Sequence, residues 1–166
     1  EKYGAMFDLP VTYDRKHTAY ITLDGEDNSK TVMVGGHLDT LGMVVRRIDD
    51  DGCIRIRQLG GLNFCSLEGE TVHVVTREGK KYSGLMVCQS HSVHVFDDAG
   101  TLERNETNML ISLDDDVHSK EDVLALGIRH GDVIYPEPRF QYTEKGFIKT
   151  RFLDDKAAVA AIFGMV

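Results

Sequence analysis

Between Met43 and about Lys145 the chain is cut into short stretches that alternate apolar and polar residues, and this pattern narrows its possible folds most. The stretches are Met43–Ile48, Cys53–Arg57, Thr71–Thr76, Tyr82–Val87, Met109–Leu113, Asp132–Tyr135 and Phe140–Thr143. Successive side chains of a strand point to opposite faces, so each stretch can bury one face and expose the other. Asp51-Gly52, Gly60-Gly61 and Glu78-Gly79 supply turns between them. Many short strands at this spacing predict a small β-barrel or sandwich. One helix interrupts the series, with Ser119 as N-cap, Asp122 three residues on, and Val123, Leu124 and Leu126 before Gly127.

The flanks have a different texture. Residues His17–Leu23 alternate as a half-exposed strand would, a turn-rich segment follows over Asp24–Ser29, and Thr31–Gly36 is a nearly continuous apolar run. That run predicts a buried strand delivering His37 to its carboxyl end, the edge where sites collect in open α/β sheets. Near the other end, Phe147–Leu153 predicts a strand running into Asp154-Asp155-Lys156 and an Ala-rich helix. The expected layout is α/β, with parts of a sheet-and-helix domain at 1–42 and 147–166 and an all-β, barrel-like domain inserted at 43–146. The chain as it stands is then mostly β. It starts at Glu1 without a Met, and its last helix has no cap or polar tail, as expected of the front portion of a longer protein.

An apolar fraction of 42%, with 16 Gly and only 3 Pro, predicts a packed core. The net charge of −8, with 19 basic residues dispersed among 27 acidic ones, excludes a nucleic-acid partner and disfavours an anionic membrane surface. Cys53, Cys65 and Cys88 are odd in number and lack Cys-x-x-Cys spacing. Reduced cysteines, no run of about 18 apolar residues and no signal-like start make a soluble cytoplasmic protein the expectation.

Two short motifs could carry chemistry. In an extended His37-Leu38-Asp39 the imidazole and the Asp39 carboxylate point to the same side, the arrangement by which a carboxylate orients a metal-ligating histidine. As a tripeptide alone it is more often a structural or surface pair. Asp154 and Asp155 stand at a strand-to-helix junction, where a carboxylate could give one oxygen to each of two metal ions or simply cap the helix. His91 and His94 lie three apart in a loop with no third ligand at a compatible spacing. His73 reads as an outward strand residue, His17, His118 and His130 as surface positions, and Asp114-Asp115-Asp116 as a solvated turn rather than a calcium loop.

From about Lys16 onward the sequence resembles the glutamyl aminopeptidase and tetrahedral aminopeptidase family of zinc peptidases. The resemblance rests on Val34-Gly35-Gly36-His37-Leu38-Asp39-Thr40-Leu41-Gly42, Gly52-Cys53-Ile54-Arg55 with Leu59-Gly60-Gly61, and Leu67-Glu68-Gly69-Glu70-Thr71-Val72. It continues through Glu121-Asp122, Leu126-Gly127-Ile128, Gly131-Asp132, Gly146-Phe147-Ile148-Lys149 and Phe152-Leu153-Asp154-Asp155-Lys156. It implies that His37 binds one metal ion, that Asp39 is the catalytic-site carboxylate holding that imidazole, and that Asp154 bridges two ions. Asp155 matches a position where Asn also occurs and ranks below Asp154. Thr40 stands where many relatives have Glu, and Lys156 where many have Arg.

The resemblance further implies a metal-dependent aminopeptidase using two divalent ions, zinc or cobalt, on peptide substrates. A Glu-Glu pair, a further Asp and a final His belong beyond Asp155, so the chain alone is expected to be inactive. The insert is implied to be a dimerisation domain of larger, often twelve-subunit particles, which keeps a non-catalytic oligomerisation module open as an alternative. A related di-zinc carboxypeptidase or deacylase is the other alternative. The 115 positions between Asp39 and Asp154 suit an inserted domain better than that group's shorter connection. The preferred N-terminal residue, the metal used in the cell and the oligomer size are not legible.

Overall fold

In a computed structural model describing residues 2–165, the β-stretches become a closed antiparallel barrel. Its strands are β3 (Gly42–Ile48), β4 (Ile54–Leu59), β5 (Thr71–Val75), β6 (Lys81–Cys88), β7 (Met109–Leu113) and β8 (Val133–Pro136). They close in the order β3-β4-β7-β6-β5-β8. Closure pairs every strand on both sides and leaves no open sheet edge.

Period-two alternation fills the interior. Ile54 and Ile56 of β4, Val72 and Val74 of β5, and Met86 and Cys88 of β6 are fully buried. Strand β3 breaks the parity, burying Met43 and Val45 and then Ile48. The register slips between Val45 and Arg47 against β4, so the extra residue Arg46 forms a bulge that returns Ile48 to the interior. Strands β6 and β7 pass so closely at Gly84 that an added Cβ would sit 2.6 Å from the Ser112 carbonyl oxygen, and only glycine fits.

The predicted helix is α2, Lys120–Ala125, and the Ser119 side chain accepts a hydrogen bond from the Asp122 amide as the cap pattern requires. Val123 and Ile128 close one end of the core, and Gly127 ends the helix at φ 93°, a conformation that favours glycine. The Phe140–Thr143 stretch does not join the barrel. It forms β9 (Gln141–Tyr142), a separate two-stranded hairpin with β10 (Ile148–Lys149).

The chain divides into two compact units, Asp39–Leu153 around the barrel, and Glu1–Leu38 with Asp154–Val166. The second unit holds α1 (Lys2–Met6), a small hairpin of β1 (Thr12–Tyr13) and β2 (Ala19–Tyr20), and α3 (Leu153–Phe163). Phe7 stacks on Phe163 at 6.1 Å within it. Three expected strands outside the barrel differ. Thr31–Gly36 carries no strand, with Val32 and Met33 85% and 84% exposed, the His17–Leu23 strand shortens to β2, and the Phe147–Leu153 strand shortens to β10. A buried strand needs a neighbour's N–H and C=O groups, and among the described residues none pairs with the run at 31–36. No helix of the described residues is long and apolar enough to cross a membrane.

Candidate metal centre

The short stretch Gly36-His37-Leu38 lies against the first turn of α3, and each of its residues meets a different group there. His37 Nε2 donates to Asp154 Oδ1 at 3.1 Å across 117 positions of sequence. A Cβ on Gly36 would lie 2.9 Å from Asp155 Oδ2 and 3.1 Å from Val159 Cγ2, so glycine at this position permits the close approach. Lys156 Nζ donates to the Leu38 carbonyl at 3.3 Å.

The backbone of Asp154 and Asp155 is non-helical, so regular helix begins only after them. Capping was an open alternative for Asp154. Its carboxylate is instead turned to the imidazole of His37. The side chains of the pair are 52% and 92% exposed, and an ion pair so open to water contributes about 0–1 kcal/mol at most. The fold does not depend on this contact.

One imidazole nitrogen and one carboxylate oxygen are donors that suit a borderline divalent cation such as zinc, at bond lengths of about 2.0–2.2 Å. At 3.1 Å apart they are close enough to touch the same ion. They fit such an ion in kind but not in number, because a zinc site takes three or four protein ligands or keeps one position open. Among the described residues no group of three or more His, Cys, Asp or Glu side chains is placed to hold a metal. Asp39 is exposed and begins the barrel unit. With no strand over residues 37–39, the alternation argument that set Asp39 beside His37 does not apply.

The remaining candidates are structural. His73 faces outward by strand parity yet is buried, with the Tyr135 ring tilted against it at 5.1 Å and its Nε2 donating to Glu137 at 2.6 Å. That hydrogen bond holds the Glu137 carboxyl below its usual range. His118 pairs with Asp116 in a solvent-exposed turn, and His91 packs on Phe96. A shallow groove lined by Arg57, Asn63, Phe64 and Arg104 has its charges matched, Arg57 to Glu106 and Arg104 to Glu68, each at 2.8 Å. Motif reading overlooked Gly36 and the Lys156 contact. The paired glycines before His37 were the available signal for the first, and nothing local signals the second.

Residues 18–166 match the family model described as M42 glutamyl aminopeptidase. The chain belongs to that family. Among its relatives, YhfE, a candidate aminopeptidase of Bacillus subtilis (strain 168), is 45% identical over 145 residues, which is 87% of this chain and 42% of YhfE. The fold is similar to that of aminopeptidase APDkam598 from the archaeon Desulfurococcus kamchatkensis, with a TM-score of 0.83 at 23% identity over 98% of this chain and 43% of that one. It is also similar to the Pyrococcus horikoshii TET1 peptidase, which can assemble into a tetrahedron or a large octahedral shell, with a TM-score of 0.75 at 24% identity over 94% of this chain and 45% of that one. The chain thus spans less than half the length of each of these proteins.

Proposed function

We propose that this chain supplies the first metal ligands and the assembly domain of an M42 aminopeptidase that releases N-terminal residues from peptides. The observation that carries the reading is the His37–Asp154 contact, which joins a nitrogen and an oxygen donor from the two flanks of the barrel in sequence. Membership of the M42 family favours it over the carboxypeptidase and deacylase alternative.

When bound, two divalent ions, zinc or cobalt, would supply Lewis acidity for peptide-bond hydrolysis. His37 and Asp154 are the residues of this chain that would hold them. Asp39 is assigned to fix the tautomer of His37, a role that rests on the family resemblance. Residues 1–42 and 147–166 belong in this reading to the peptidase domain. Residues 43–146 are in this reading the dimerisation insert, and the assembly of the Pyrococcus horikoshii TET1 peptidase into a tetrahedron or a large octahedral shell supports self-association. Three unpaired cysteines accord with a cytoplasmic setting.

With only two donors brought together, the chain by itself binds zinc weakly and has no peptidase activity. In a family-length protein carrying these residues, His37→Ala abolishes aminopeptidase turnover, and Asp39→Asn reduces it by about 10–100-fold. Zinc titration of the chain and kinetics on aminoacyl anilides measure these effects. Tight stoichiometric zinc in the isolated chain, or a fully active His37→Ala enzyme, would overturn the ligand assignment. Sedimentation tests the assembly role, for which a dimer that survives removal of 147–166 is expected.

A further inference from the structure

Of the paired glycines before His37, Gly35 has open space around its Cα, whereas Gly36 is pressed against Asp155 and Val159. Leu38, on the other side of His37, presents its carbonyl to Lys156. The histidine is therefore bracketed, with the residue before it docked on α3 by shape and the residue after it held by a charged donor. An ammonium on a backbone carbonyl is a charge-assisted hydrogen bond, stronger than a neutral one. The segment upstream is more open, with Val32, Met33 and Val34 all exposed to solvent.

We propose that Lys156 is a positioning residue for His37, holding the Leu38 carbonyl so that the imidazole faces Asp154, and that the bare Cα of Gly36 lets this segment lie close to Asp155 and Val159. Lys156 follows Asp154 by two residues, so one short segment at the start of α3 carries both the carboxylate and the group that aims its partner. The role extends the metal-site reading, yet its geometric content holds without any metal. An arginine at 156 retains a cationic donor and performs the same task, whereas an uncharged side chain of similar length does not.

The test uses this chain in the variants Lys156→Met, Lys156→Arg, Gly36→Ala and Asp154→Asn. Lys156 is exposed, so its replacement leaves the fold intact. Without metal, the imidazole proton resonances of His37 are recorded by NMR. Lys156→Met and Gly36→Ala should reproduce the shift changes that Asp154→Asn causes, and Lys156→Arg should stay near the unsubstituted chain. With cobalt(II) added, paramagnetic broadening of the same signals gives an apparent affinity, which Lys156→Met should weaken by about 10-fold and Lys156→Arg should largely restore. Unchanged imidazole resonances in Lys156→Met overturn the positioning role, whatever the metal result. Absence of cobalt broadening at His37 in the unsubstituted chain instead counts against the metal-site reading, and the metal-free spectra still decide the role of Lys156.

Discussion

The barrel unit and the flanking unit are built from equally apolar stretches, yet one buries them and the other leaves them in water. Ile54 and Ile56 in β4 are fully enclosed, while Val32 and Met33 in Thr31–Gly36 are 85% and 84% exposed. Hydrophobicity alone does not separate the two. Each barrel strand has two hydrogen-bonded neighbours, and closure brings the opposite wall over its inner face, whereas the run at 31–36 has no paired neighbour among the described residues. Burial is thus a property of the ladder as much as of the segment, and stability should be concentrated where the ladder closes.

The largest contrast is expected from core truncation. Ile56→Ala should cost about 2–5 kcal/mol in urea denaturation through lost transfer energy and a residual cavity. Val32→Ala, made on a fully wetted side chain, should change stability by less than about 0.5 kcal/mol. Equal costs would break the comparison, because they would mean that the flank is buried in solution.

Backbone proximity gives the next contrast. Gly84→Ala drives a methyl group into the Ser112 carbonyl, and the strain of an overpacked site is about 1–3 kcal/mol. Gly35→Ala meets nothing within 4 Å and should leave the melting temperature unchanged. A harmless Gly84→Ala would show that β6 and β7 separate easily, contrary to a tightly closed barrel.

A smaller effect belongs to the cap of α2. Ser119→Ala removes the acceptor for the Asp122 amide and should cost about 0.5–2 kcal/mol, whereas Ser119→Asp keeps the acceptor and most of the stability. Thermal denaturation of the two variants sharpens the view that α2 contributes to the barrel core through Val123.

The smallest effect is a pH dependence within the barrel. Partial burial alone would raise the Asp49 carboxyl, but hydrogen bonds from Arg55 and Arg47, both at 2.6 Å, outweigh it and hold the folded-state pKa below the ordinary 3.8. A carboxyl depressed in the folded state stabilises above its unfolded pKa, and that contribution is lost as pH falls through the depressed value. The melting temperature should therefore drop more steeply below about pH 4 in the unsubstituted chain than in Asp49→Asn. Identical acid profiles would remove Asp49 from the account.

Much of the barrel was readable because its signals are local. Period-two alternation marks Ile54 and Ile56 without knowledge of what they face, and Ser119 with Asp122 is complete within four residues. The Arg46 bulge was not readable, since it is defined only by register against β4. Nor was the covering of His73, which depends on Tyr135 and Glu137 more than sixty positions away in sequence. At the candidate centre, His37 and Asp154 stood out by residue type and motif, but one alternative for each was a purely structural role, and the tripeptide could not choose between them.

By itself, then, the sequence determined where short strands run, where α2 starts and stops, and which acidic and imidazole groups stand at the candidate centre. Those properties depend on neighbours within a few residues, whose spacing decides which face a side chain shares. Only the tertiary structure decided that the apolar run at 31–36 has no ladder here, that the barrel closes with β8 beside β3, and that Gly36, His37 and Leu38 meet Asp155, Asp154 and Lys156. These are contacts between groups far apart along the chain, formed only when the intervening residues have folded, and no periodicity of a single segment encodes them.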